Sequence, residues 1–314
     1  MPANPTYRIG NAEITRVPEI AFEDADIATL FPDSAPDSLA PDAKRWGPRH
    51  FDARTGKLRQ SVHAWLVKTP AHTLLIDTGA GNDKERPEAP ALHRLDEPFL
   101  ARLEAAGASA ADIDHVLFTH LHSDHVGWNT TWHDGRWQPT FTNALHVFSK
   151  REYDYNAALA EDTALAERIR KKADLGPRAR LPSRGFFGDS VQPVADAGLA
   201  HPIDINETAF EGFVFHRVPG HSIDQAAISF TSNGETALFW GDVCHHPLQV
   251  RHTGVNSMFC EFPEAAVEAR LWALGYAADH EATVFTTHFG GGSVGHVVRD
   301  GDGFDWCFSE GDAA

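Results

Sequence analysis

The run His120-Leu121-His122-Ser123-Asp124-His125 constrains this chain more than any other segment. It follows His115-Val116-Leu117-Phe118-Thr119, a short apolar stretch read as a buried strand. Four potential metal ligands therefore crowd into one strand-to-loop junction. Imidazole nitrogen and carboxylate oxygen suit zinc and other first-row divalent ions. In extended backbone alternate side chains share a face, so His120 and His122 reach one ion. A turn after them swings Asp124 and His125 toward a second. The chain has 19 His in 314 residues, so a His-rich surface loop is the plain alternative, and the spacing argues against it.

Three later strand-like runs end in the same kind of residue. Residues 213–218 lead into Pro219-Gly220-His221-Ser222, residues 236–240 into Gly241-Asp242, and residues 283–287 into His288-Phe289-Gly290. Each is weak alone: a Gly-His pair is as readily structural, and an aspartate after a strand usually caps a turn. Open α/β sheets, however, bind ligands at strand ends. Together the four places supply five histidines and two aspartates. A catalytic zinc takes about three protein ligands and keeps a position for water. Seven donors serve two ions if one carboxylate bridges them.

His120-x-His122-x-Asp124-His125, followed in order by His221, Asp242 and His288, resembles the metallo-β-lactamase superfamily, and Asp77-Thr78-Gly79 matches its early strand-end motif. The likeness runs over roughly residues 60–290. It implies an α/β fold, a four-layer αβ/βα sandwich of two mixed sheets flanked by helices, with the metals at one edge. It also implies an assignment: His120, His122 and His221 on one metal, Asp124, His125 and His288 on the other, Asp242 bridging. Within the superfamily the pattern is similar to the N-acyl-homoserine lactonase and methyl parathion hydrolase-like branch. The zinc β-lactamases generally place a cysteine where Asp242 stands or lack the full set. Lactonases of the branch commonly carry a tyrosine near the metals; here Tyr7, Tyr153, Tyr155 and Tyr276 all lie outside the region just before His221. His252 or a backbone N–H is then the candidate to meet the substrate carbonyl.

The chemistry expected is hydrolysis. Two ions, Zn²⁺ first with Mn, Fe or Co also suited, share a bridging hydroxide whose pKa is brought toward neutrality. Asp124 steers it, Asp242 bridges, and Asp77 fixes the ring of a ligand histidine. A lactonase or esterase on neutral or hydrophobic substrates is the leading expectation, with organophosphate triester hydrolysis the alternative. A β-lactamase or a non-hydrolytic di-iron redox protein ranks below both. Aromatic and imidazole side chains near the motifs or in loops are pocket candidates: Phe22, Trp46, Trp128, Phe187, His245, His252 and Phe289.

Composition narrows the partners. A net charge of −17 is the wrong sign for nucleic acid, which needs a basic face, so a small-molecule substrate is expected. Three cysteines (Cys244, Cys260 and Cys307) form no CxxC pair, which argues against a disulfide framework and fits a reducing cytoplasm. No signal-peptide pattern and no apolar run near the ~20 residues of a membrane span is present.

One domain over 1–314 is expected. Residues 20–60 read as a long Asp/Pro-rich loop forming a lid or a dimer arm, compatible with a homodimer, and 150–195 as a helical and loop insertion. Residues 12–18 read as an edge strand, 61–69 and 72–77 as a hairpin, 97–106 and 263–278 as helices, and 181–195 as a loop.

Overall fold

Successive side chains on a strand point to opposite faces, and that alternation builds the layers here. In Lys57–Lys68, Trp65 and Val67 face one core while Ala64 and Leu66 face another. The same sorting in Glu235–Phe239 sends Ala237 and Phe239 one way and Leu238 the other. A strand buried on both faces belongs inside a sandwich of sheets with helices outside.

The computed structural model describes residues 5–206 and 208–309. The first sheet runs in the order Thr6–Ile9, Ala12–Asp26, Lys57–Lys68, Thr73–Ile76, His115–Leu117, Leu145–Ser149, Ala200–Ile203, with Phe51–Asp52 paired beside Lys57–Lys68. The second runs Thr208–Phe210, Phe213–Arg217, Ala226–Ser232, Glu235–Phe239, Thr283–Phe285, Val294–Asp300, Gly303–Phe308. Both sheets mix parallel and antiparallel pairs. Their facing sides form one core that includes Ile14, Trp65, Leu117, Phe215, Ile228 and Phe285. Outside the first sheet Phe99 and Leu103 of the helix Phe99–Ala105 close a second core. Outside the second, Ala273, Leu274 and Ala277 of Pro263–Asp279 close a third. The architecture is the four-layer αβ/βα sandwich.

The parallel pairs matter for function. Thr73–Ile76 and His115–Leu117 run parallel, as do Glu235–Phe239 and Thr283–Phe285, and Phe213–Arg217 points the same way as Glu235–Phe239 through two antiparallel steps. The segments bearing Asp77, His120–His125, His221, Asp242 and His288 therefore all leave their strands at one edge.

Two loop expectations fail. Residues 20–60 are not a long loop: Ala12–Asp26 continues as strand, followed by the helices Ile27–Leu30 and Pro36–Ala43. The apolar residues there, Leu30, Phe31 and Leu39, bury against Phe51, Leu58 and Leu248 in their own cluster, which orders the segment. Residues 187–196 are helical rather than loop. Residues 12–18 are also not at an edge, because Thr6–Ile9 lies outside them.

Candidate metal centre

Asp77 follows Thr73–Ile76 with a left-handed φ of 57°, unusual for a residue with a Cβ. Its carboxylate explains the strain. Oδ1 accepts the backbone N–H of Thr119 at 2.9 Å, and Oδ2 accepts the Thr119 hydroxyl at 2.8 Å and His125 Nδ1–H at 2.9 Å. One side chain thus ties the end of the neighbouring strand to a ring six residues further on. Strain of this kind clusters where geometry is functional.

The other rings are held the same way. His122 Nε2–H donates to Glu261 Oε1 at 3.1 Å, and His288 Nδ1–H donates to the Ser61 carbonyl at 2.9 Å. His120 Nδ1 lies 3.1 Å from the Thr119 hydroxyl oxygen, whose proton is already given to Asp77. Each acceptor fixes a tautomer and leaves a lone pair on the other ring nitrogen. Those nitrogens converge. His120, His122 and His221 bring their donor atoms within 4.8 Å of one another, and so do Asp124, His125 and His288, and His120, His125 and Asp242.

A cation fits this arrangement. Nε2 of His120 and of His125, and Oδ1 of Asp242, are buried and lack a hydrogen-bond partner. His125 Nε2 and Asp242 Oδ1 sit 3.2 Å apart without hydrogen-bond geometry. His122 Nδ1 and His221 Nε2 face each other at 2.9 Å, a contact that only a proton or a cation makes favourable. Burial keeps His120 and His221 well below the usual imidazole range, so both stay neutral, as ligation requires. Burial also opposes charge on His125, yet Asp242, Asp77 and Asp124 together hold it well above that range. Burial opposes charge on Asp242 too, and four surrounding histidines, His288 foremost, hold it ionised. The carboxylates make the site a sink for positive charge.

Two buried glutamates brace the loops. Glu152 accepts the Ser222 hydroxyl at 2.5 Å, Asp224 N–H at 2.7 Å and Leu121 N–H at 3.3 Å, joining the His120–His125 loop to the His221 loop. Glu19 accepts Ala80 N–H, Gly81 N–H and the Trp128 indole N–H, joining the Asp77 loop to the turn after His125. Burial raises both carboxyls to about 7. The two loops beside Glu19 touch backbone to backbone: a Cβ on Gly127 would fall 1.8 Å from the Ala80 carbonyl oxygen.

The donors open on a cavity of about 390 Å³. Its walls carry Phe22, Val62, Leu92, Leu181, Met258 and Phe259, and its floor His122, Asp124, His221, Asp242, His245 and His288. Among the pocket candidates Phe22 and His245 line it. His245 stacks between His288 and Phe259, at 5.1 and 5.4 Å, with Nε2 3.2 Å from Asp242 Oδ2.

The other five pocket candidates are corrected. Trp128 is buried, stacks on Phe99 at 5.2 Å and donates to Glu19. Phe187 is buried against Tyr153. Phe289 is buried beside Trp240 and Trp306. Trp46 meets His246 edge-on at 6.1 Å, and His252 is tied to Asp42 at 2.8 Å. Burial of apolar surface claims the aromatics, and a carboxylate claims the imidazole. Sequence reading missed Glu261, Glu152 and Glu19; no local motif marks them, since each acts across more than 30 residues. It also missed Arg180 at the rim, which donates to the Met258 carbonyl at 3.0 Å and lies over Phe259.

Residues 59–288 match the family model described as Metallo-beta-lactamase superfamily. The chain belongs to the metallo-beta-lactamase superfamily. Curated relatives agree: a "Probable metallo-hydrolase" of Mycobacterium tuberculosis is 27% identical over 193 residues, 59% of this chain and 57% of that protein. The match thus spans less than two thirds of that relative. An N-acyl homoserine lactonase of Azorhizobium caulinodans is 40% identical over 62 residues, 20% of each chain. Among solved structures, the hydrolase AbOPH superposes with TM-score 0.75 at 21% identity, covering 98% of this chain and 97% of that one. AidC, described as a dizinc quorum-quenching lactonase, gives 0.74 at 20% identity, covering 98% of each. At these identities the superpositions speak to the fold. Members of the superfamily typically bind divalent metals, and the donor set above fits such ions. Family match and site chemistry together support a hydrolytic enzyme. No described helix is long and apolar enough to cross a membrane, and all three cysteines are unpaired.

Proposed function

We propose that this chain is a dinuclear metal-dependent hydrolase of neutral or hydrophobic esters, lactones foremost. The observation that carries the reading is the convergence of five histidines and two aspartates, of which His122, Asp124, His221, Asp242 and His288 form the floor of a largely apolar-walled cavity of about 390 Å³. Such a volume lies in the range of small-molecule sites. His120, His122 and His221 would hold one ion, and Asp124, His125 and His288 the other, with Asp242 between them; Zn²⁺ suits this nitrogen and oxygen set. When bound, the pair supplies a nucleophile from water at neutral pH and polarises the bond under attack.

The chain's own groups do the rest. Asp77, Glu261 and the Ser61 carbonyl hold the ligand rings in one tautomer and orientation. Phe22, Val62 and Phe259 receive the apolar part of the substrate and exclude water. Among the described residues, no tyrosine lines the cavity. His245 lines it with Nε2 3.2 Å from Asp242 Oδ2 and adds a further imidazole to the cavity floor.

The test is turnover of two chromogenic probes, a lactone and a paraoxon-type triester, before and after metal chelation, with ion content measured by mass spectrometry. Lactone turnover that is lost in His122→Ala and after chelation, with two ions per chain in the active form, supports the reading. Turnover that survives both treatments overturns it. Preference for the triester moves the substrate assignment and leaves the metal mechanism in place.

A further inference from the structure

A second group of metal-type side chains lies at the far end of the sandwich. His115 opens the strand His115–Leu117 and shares a face with Leu117, which packs in the core between the sheets. His115 therefore points between the sheets, at the edge opposite the His120–His125 run. His72 comes from the turn before Thr73–Ile76. Glu211 comes from the second sheet, in the tight turn between Thr208–Phe210 and Phe213–Arg217, with φ of 48°. One donor atom from each of His72, His115 and Glu211 lies within 4.8 Å of the other two.

His115 is the telling residue. It is 9% exposed, and both its ring nitrogens are shielded from solvent without a hydrogen-bond partner. An unpaired buried polar group costs roughly 1–3 kcal/mol. His72 Nε2 sits 3.0 Å from Glu211 Oε2, and its ring centroid is 4.8 Å from that of His115. A simple His72–Glu211 ion pair would be partly exposed, worth little, and would leave His115 unaccounted for.

We propose that His72, His115 and Glu211 form a separate cation site that takes one first-row divalent ion, such as Zn²⁺, through two imidazole nitrogens and one carboxylate oxygen. The ion clips the two sheets together. Two nitrogens and one oxygen are the donor types such ions prefer. Asp114, with Oδ2 4.0 Å from His72 Nδ1, adds a further negative charge beside the group.

The proposal stands apart from the hydrolase reading, and its test uses ion counts and stability. Wild type, His72→Ala, Glu211→Gln and His122→Ala are equilibrated with Zn²⁺, and bound ions are counted by native mass spectrometry. Thermal midpoints are measured with and without Zn²⁺. His72 and Glu211 lie in partly exposed turns, so the variants keep the fold. Wild type is expected to hold one ion more than His72→Ala and Glu211→Gln, and His122→Ala to keep that extra ion. Added Zn²⁺ is expected to raise the midpoint of wild type by several degrees more than that of either turn variant. Equal counts and equal shifts in wild type and Glu211→Gln overturn the proposal, as does an extra ion that His72→Ala retains.

Discussion

Two groups of histidines sit at opposite ends of the same sandwich, and their surroundings differ. At the strand-end edge, His120, His122, His125 and His288 each engage a further acceptor that fixes the tautomer, and buried Glu19 and Glu152 lace the loops together. At the other end, His115 has no acceptor and His72 has a partly exposed carboxylate. The lesson is that bringing donors together is the lesser part of a reactive site. Orienting each donor with a second layer of bonds is the greater part, because that is what holds a lone pair in place when the substrate arrives.

The largest effect expected to follow is at His122. His122→Ala should lower kcat/KM by at least the roughly 10²–10³-fold seen when a transition-state contact is removed, with loss of bound ions. Steady-state kinetics beside ion counts checks this, and near-wild-type kcat/KM would erase the distinction between the two ends.

Acid titration contrasts histidines with and without carboxylate neighbours. His146 is fully buried, packed near Phe118 and Phe141, with Nδ1 3.2 Å from the Ala144 carbonyl and Nε2 without a partner. Burial lowers its pKa from 6.5 to about 4. The unfolded chain then binds the proton first. The stability this group contributes is complete above pH 6.5 and is lost as pH falls toward 4, on the order of 3 kcal/mol in all. His146→Phe should flatten the stability curve by about that amount over that window. Denaturant melts at a series of pH values decide it: parallel curves for the two proteins would refute the assignment.

Removing only an orienting bond should cost less. Asp77→Asn is expected to weaken metal affinity about 10- to 100-fold, and Glu261→Gln toward the lower end of that range. Competition with a chelator of known affinity measures both. Unchanged affinity in Asp77→Asn would mean the second layer is packing and nothing more. The smallest effect belongs to the cavity wall: Phe22→Ala should raise KM for an apolar ester roughly fivefold with kcat held, the mark of uniform binding. A fall in kcat instead would place Phe22 nearer the reacting bond.

The sequence is informative where chemistry is local. The His120–His125 run and the residues after three strands can be read directly, because ligands at strand ends need only a period-two strand and a turn. Asp77 is legible for the same reason. Glu261 and Glu152 are not: each reaches its partners across the fold, and nothing near Cys260-Glu261-Phe262 announces a bond to His122. Segment 20–60 misleads because its prolines and aspartates look like loop, while Leu30, Phe31 and Leu39 build a core with Phe51 and Leu58 of the same segment, closed by the distant Leu248. The hairpin Thr130–His133 to Arg136–Pro139 was open to reading, since Asp134-Gly135 between β-prone residues is a turn signal, and both take positive φ. Aromatics next to the motifs were the weakest guide. Their area drives them into cores wherever one is in reach, and proximity in sequence to His125 or His288 does not outweigh that.

The contact between Gly127 and the Ala80 carbonyl has a consequence for how such a protein diversifies. Any side chain at Gly127 would strike main chain, and one at Gly81 would strike Gly127 itself. At those two positions the loops that position Asp77 and His125 admit glycine alone. The stretch Arg180–Ser183 and the end of the strand bearing Phe22 border the same cavity with side chains rather than glycine main chain. Side-chain variation at the rim can thus reshape the cavity without moving the two glycines that set the loops beneath it.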